Sequence, residues 1–165
     1  MIISTKDVKK FIISVAIPLI VGFLSSSISN FLAGTTNSGA YTELIKPGFF
    51  PPPILFPIVW TILYILMGIS AYLISKRGNN SVKSRDALFY YWLQLGLNFI
   101  WSILFFGLGL RFTALVDLGL LTIVVIIMII KFTKVDKVAA YMNIPYLVWL
   151  FYAFFLNYVT WSINK

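Results

Sequence analysis

Five long apolar runs constrain this 165-residue chain more than any other feature. A helix rises ~1.5 Å per residue, so a hydrocarbon core of ~30 Å requires ~20 consecutive apolar residues. Runs at 8–33, 53–75, 87–109, 113–132 and 138–163 meet that length. Inside a bilayer each segment must satisfy its own backbone N–H and C=O groups, and single runs of this length do so as helices. Together they take up about 118 of the 165 residues and leave no room for a separate soluble domain. Composition agrees, since 60% of the residues are hydrophobic and only 11% are charged, against about 45–50% and 25% in soluble domains. The chain therefore reads as an all-α membrane protein, a five-transmembrane-helix bundle forming one domain over residues 1–165. The first run is longer than a signal-peptide core and leads into no small-x-small cleavage pattern, so it is expected to be retained.

Histidine and cysteine are both absent. Their absence excludes disulfides, thiol redox chemistry, Cys/His zinc sites, the usual haem axial ligands and histidine-based triads. The net charge of +8 suggests anionic partners at first sight, but its distribution gives another account. Lys6, Lys9, Lys10, Lys76, Arg77, Lys83, Arg85, Lys131, Lys134 and Lys137 fall at the N-terminus and in the second and fourth connections, leaving Lys46, Arg111 and Lys165 for the other side. Ten cations against three is the positive-inside pattern, which places the N-terminus in the cytoplasm and the first loop outside. With no transit-peptide pattern, a multi-pass protein of a prokaryotic plasma membrane is expected. The basic charge sets topology, with contact to anionic lipid as a secondary effect, and no nucleic-acid role follows.

The connections are short apart from residues 34–52, GTTNSGAYTELIKPGFFPP, where Gly and the proline run forbid a continuous helix. Tyr41, Leu44, Ile45, Phe49 and Phe50 make this segment too apolar for a plain linker, so it reads as a lid over the bundle.

Polar groups inside lipid face the bundle interior. Gln94, Asn98 and Ser102 recur every four residues and share one helical face, flanked by Trp101 and Phe105. The same spacing aligns Trp149, Ala153, Asn157 and Trp161 on the fifth run, with Tyr146 and Tyr152 beside them, and Trp60, Tyr64, Gly68 and Tyr72 on the second. Ser14, Pro18, Gly22 and Ser26 form a small-residue stripe on the first, which reads as close helix packing. Asn157 fits helix-to-helix hydrogen bonding at least as well as ligand contact. Asp117 reads as a structural acceptor or as an ion-pair partner of Arg111, six residues before it. Tyr90, Tyr91, Trp92, Tyr158 and Trp161 read as interface anchors. Trp60 and Trp149 lie seven to eleven residues into their runs, past the interface and next to small or hydroxyl side chains. They fit equally a slot for a flat ring and simple core packing.

Four blocks then resemble a known family: KPGFFPPPILFPIVWTILYILMG (46–68), QLGLNFIWSILFF (94–106), VDLGLL (116–121) and PYLVWLFYAFFLN (145–157). They are similar, in the same order and over nearly the whole chain, to the TspO/translocator protein family, the tryptophan-rich sensory proteins whose animal members are called peripheral benzodiazepine receptors. The resemblance implies a five-helix bundle whose first loop covers a pocket for porphyrins and for synthetic isoquinoline carboxamides, and a homodimer in bacterial members. By position it implies pocket residues at Pro51, Pro52, Trp60, Tyr64, Asn98, Trp101, Phe105, Trp149 and Ala153. Trp60 and Trp149 match the tryptophans linked in the family to light-dependent protoporphyrin breakdown. Phe49 stands where many members have Trp. Ser162 stands where the animal cholesterol motif has Arg, so no cholesterol recognition is expected.

The resulting expectation is a porphyrin-binding receptor or regulator that takes a protoporphyrin IX-like ligand and requires no cofactor. With no His or Cys for axial ligation, stacking would hold a free-base ring. Photo-oxidative porphyrin degradation is the enzymatic alternative, and transport of porphyrins or other lipophiles is a third. No internal inverted repeat speaks for transport.

Overall fold

A computed structural model describes residues 5–36, 51–52 and 54–164. All its regular elements are helical. Helix α1 spans Thr5–Thr36, α2 Leu55–Arg77, α3 Val82–Ser102, α4 Arg111–Thr133, α5 Lys137–Tyr141 and α6 Ile144–Ile163. A π-helical turn, Ile103–Gly107, continues α3. With α5 and α6 taken as one span, five helical segments are long and apolar enough to cross a membrane, at the five places the sequence indicated. The chain is a multi-pass membrane protein. Most of the expected lid, residues 37–50, lies outside the described residues, as does Pro53; residues 34–36 belong to α1.

The ends of the helices differ from the expected ranges for local reasons. Ser81 caps α3 by accepting the Ser84 N–H at 3.2 Å, so this helix begins five residues before the apolar run does. The fifth run is two helices rather than one. Asp136 caps α5, whose last turn closes at Met142, and Asn143 then leads into α6 with Pro145 in the first turn, where a missing N–H costs nothing. Gly109, at φ 66°, breaks the chain sharply between the π turn and α4.

Helix α1 meets α2 through small residues. A Cβ added to Gly68 would lie 2.5 Å from Val15 Cα and 2.6 Å from the Ser14 carbonyl oxygen, and one added to Gly22 would enter the Tyr64 ring at 2.2 Å. Further along, the register of contact moves from the expected Ser26 to Ser25 and Ser29. Ser25 Oγ donates to the Phe99 carbonyl at 2.9 Å, and Ser29 Oγ lies 3.2 Å from Ser102 Oγ. Behind these helices, Met67, Ile74, Leu118, Leu121, Val125, Met128, Phe132 and Leu150 are fully buried. Tyr91 belongs to that core and is not the interface anchor expected: at 2% exposure it shares the inward face of α3 with Gln94 and Asn98. Trp92 and Tyr158 remain exposed.

Each ion pair among the described residues lies at the basic end of the bundle. Lys76 pairs with Asp7 at 3.2 Å, Lys131 with Asp86 at 2.6 Å, and Arg77 with Asp136. Each joins two different elements. Burial alone would push the Asp136 carboxyl up, but the Ala139 N–H and the Arg77 guanidinium outweigh it and hold the group below its ordinary 3.8.

Gly68→Ala collides with backbone that no rotamer change moves, so it should destabilise the bundle by about 1–3 kcal/mol in detergent unfolding. Gly96→Ala, with nothing within 4 Å of the new methyl, should instead be neutral or stabilising. A carboxyl depressed in the fold contributes stability above its unfolded pKa and loses it as pH falls through the folded one. Acid titration of thermal stability should therefore show a limb below pH 3.8 that Asp136→Asn weakens, and Asp136→Ala should cost about 1 kcal/mol through the lost cap at neutral pH.

Candidate functional site: an aromatic cavity between α1, α2 and α3

A cavity of about 600 Å³ lies between α1, α2 and the end of α3. One wall is aromatic. Phe56, Trp60 and Tyr64 on α2 recur at four-residue spacing and face Trp101 and Phe106 from α3 and its π turn. The Trp60 ring lies 5.4 Å from Tyr64 at 30° and 6.2 Å from Trp101 at 36°, so three broad faces tilt toward one another. Ser25, Ser26, Ser29 and Asn30 of α1 form the opposite wall, a row of hydroxyls ending in an amide. Among the described residues no charged side chain lines the space.

Beneath the aromatic wall a relay of hydrogen bonds crosses the core. Tyr64 Oη donates to Asn98 Oδ1 at 3.0 Å, Asn98 Nδ2 to Tyr146 Oη at 2.9 Å, and Tyr146 Oη to Gln94 Oε1 at 3.0 Å. Gln94 Nε2 reaches Met67 Sδ at 3.9 Å. The four relay groups lie on α2, α3 and α6, and each is buried. The inward face predicted for Gln94 and Asn98 is therefore present, with both amides engaged in joining helices. Asn157 does the same. It accepts the Trp101 Nε1–H at 3.2 Å and donates to the Arg111 carbonyl at 2.9 Å, the helix-bonding alternative of the two readings the sequence left open.

Of the residues expected at the pocket, Trp60, Tyr64, Asn98 and Trp101 line the cavity. Phe105 stacks behind Trp101 at 5.6 Å and 18° and buttresses that ring. Trp149 stands a layer away, 5.9 Å from Phe56 and 5.5 Å from Tyr152, with its indole N–H buried and without a hydrogen-bond partner. No direct ring contact joins it to Trp60 among the described residues. Ala153, one turn along α6 from Trp149, is buried, as is Pro51, whereas Pro52 is exposed and its carbonyl accepts the Leu55 N–H at 2.9 Å.

Sequence reasoning passed over Phe56, Phe106 and the hydroxyl wall of α1. The signal for that wall was present in SSSISN (25–30), a polar cluster inside a lipid-spanning run. The Arg111–Asp117 pairing does not form. Six residues on an α-helix turn about 240°, which points the two side chains away from each other. Asp117 Oδ2 and Arg111 Nε are both buried without a partner.

The arrangement suits a flat apolar molecule with polar edges, since it combines stacking faces with neutral donors and acceptors. The relay generates a further prediction. Tyr146→Phe removes a hydroxyl that both accepts and donates, leaving two buried amides short of a partner, and should cost about 1–3 kcal/mol in detergent denaturation. A Gln94→Leu change added to it should cost less than the sum of the two single effects.

Comparison with known proteins bears directly on this bundle. The model of the TspO/MBR family matches residues 14–162. The tryptophan-rich protein TspO of Chlorobaculum tepidum is 34% identical over 159 residues, covering 96% of this chain and 98% of that protein. The protein of the same name from Archaeoglobus fulgidus is 37% identical, with 96% and 99% covered. The translocator protein of Sus scrofa is 37% identical over 88% of this chain and 89% of its own. With the match reaching from the first span to the last, the chain belongs to the TspO/MBR family.

Proposed function

We propose that this protein is a plasma-membrane receptor for flat tetrapyrroles of the protoporphyrin IX type, with its basic end in the cytoplasm. The observation that carries the reading is the opposition of three tilted aromatic faces, Trp60, Tyr64 and Trp101, to a hydroxyl-lined helix across about 600 Å³. That volume falls in the range of small-molecule sites. A macrocycle would stack on the aromatic wall and direct its polar substituents to Ser26 and Asn30, because Asn98 is engaged in the relay. The chain has neither His nor Cys, so stacking takes the place of axial ligation. The name "tryptophan-rich sensory protein", carried by a relative from Cereibacter sphaeroides, accords with a receptor.

Quenching of tryptophan fluorescence on titration with protoporphyrin should be saturable. Trp60→Leu should weaken binding about tenfold, the equivalent of roughly 1.4 kcal/mol of lost stacking and burial. Trp149→Phe, a layer outside the cavity, should change affinity much less. An unchanged dissociation constant for Trp60→Leu would show that the ligand sits elsewhere.

The ring contacts favour one second reading, photo-oxidative breakdown of the bound pigment. Trp60 connects through Trp101, Phe106 and Phe56 to Trp149 in steps of 5.7–6.4 Å, a chain of packed rings across which Trp149 would pass an electron to an oxidised Trp101 or Trp60. Under illumination in oxygen, loss of the porphyrin Soret band faster than in detergent alone, and slowed by Trp60→Phe, would support it. Equal rates would remove it.

A further inference from the structure

A second, polar cleft of about 390 Å³ lies at the basic end of the bundle, remote from the aromatic cavity. We propose that it binds the phosphate of an anionic glycerophospholipid headgroup. Helix α1 contributes Asp7, Lys10 and Ser14, which share one face, and the end of α2 contributes Ser75 and Lys76. The turn after α2 adds Asn79 and Asn80, at φ 42° and 56°. Asparagine adopts this left-handed backbone readily, and the turn brings both side-chain amides to the cleft.

The charges are not equivalent. Lys76 Nζ donates to Asp7 Oδ2 and to Tyr72 Oη, both at 3.2 Å, and lies 5.5 Å over the Tyr72 ring. Asp7 is thereby neutralised within the cleft. Lys10 has no partner carboxylate among the described residues, and the Asn79 and Asn80 amides have no hydrogen-bond partner there either. What remains is one uncommitted ammonium and two uncommitted amides around a space that a phosphate's oxygens would fill. No free carboxylate is left for a choline or ethanolamine ammonium, which selects an anionic headgroup over a zwitterionic one.

The neighbouring surface selects a lipid over a free anion. Ile13 forms part of the cleft wall at 46% exposure, and Ile20, two turns further along the same face of α1, is 55% exposed. This apolar track leads from the cleft into the membrane span, where an acyl chain would lie and free phosphate would gain nothing.

The test is thermal unfolding of the purified full chain in detergent supplemented with phosphatidylglycerol, phosphatidylcholine or inorganic phosphate. Phosphatidylglycerol should raise the midpoint more than either other addition. Lys10→Gln should lose most of that difference, whereas Lys9→Gln, one residue away and outside the cleft, should keep it. Asn79→Gly with Asn80→Gly permits the left-handed backbone while deleting both amides, and should also reduce the shift. Equal loss in both lysine variants would reduce the effect to diffuse surface charge and overturn the site, as would the absence of any phosphatidylglycerol preference. An equal shift with inorganic phosphate would overturn the lipid as the occupant.

Discussion

The relay from Tyr64 through Asn98 and Tyr146 to Gln94 is the constraint on which the rest of the bundle depends. Apolar side chains gain little by leaving lipid for one another, so helices in a membrane are joined by close contact and by hydrogen bonds between groups that have no other partner. Four such groups fix α2 and α6 against α3 at one depth. Trp60 stands one turn above Tyr64, and Trp101 nearly one turn above Asn98, so the relay also sets the tilt and separation of the two indoles. The cavity is in this sense a product of the polar core beside it.

Helix α1 is held differently. It touches α2 where Gly68 admits the backbone of Ser14 and Val15, and again where Gly22 admits the Tyr64 ring. Beyond Gly22 the lining of the space between them changes to Ser26, Asn30, Pro57 and Thr61, all exposed. Glycines thus allow close approach toward the basic end, and the cavity opens between the same helices toward the other. The ion pairs reinforce the closed end, with Lys76–Asp7 joining the same two helices.

Much of this was legible in the sequence because the bilayer leaves so few solutions. Length and hydropathy located five spans, and four-residue spacing located the inward faces of α2 and α3. What escaped depends on contacts between elements. The division of the fifth run at Met142 and Asn143 follows from a cap at Asp136 that no apolar count registers. The hydroxyl wall was passed over because serines spaced by four on a membrane helix serve equally for packing and for lining a cavity. Only the azimuth of α1 separates Ser25 and Ser29, which bond to α3 or within α1, from Ser26 and Asn30, which are exposed along the opening. Trp149 shows the opposite limit: depth and neighbours marked it correctly as interior, while its distance from the cavity is a matter of how α6 lies against α2.

The π-helical turn has a consequence of its own. The Leu108 N–H bonds the Ile103 carbonyl, five residues back, at 2.9 Å, so this stretch of backbone holds one residue more than an α-helix would. Residues four and five positions after Trp101 thereby both reach it, Phe105 face to face and Phe106 by its edge. In a regular helix the fifth residue would turn about 140° from the first and leave the indole. The aromatic wall is therefore specified by the winding of the backbone as well as by side chains: the same residues wound as a regular α-helix would keep their hydrophobicity, yet turn the Phe106 ring away from Trp101.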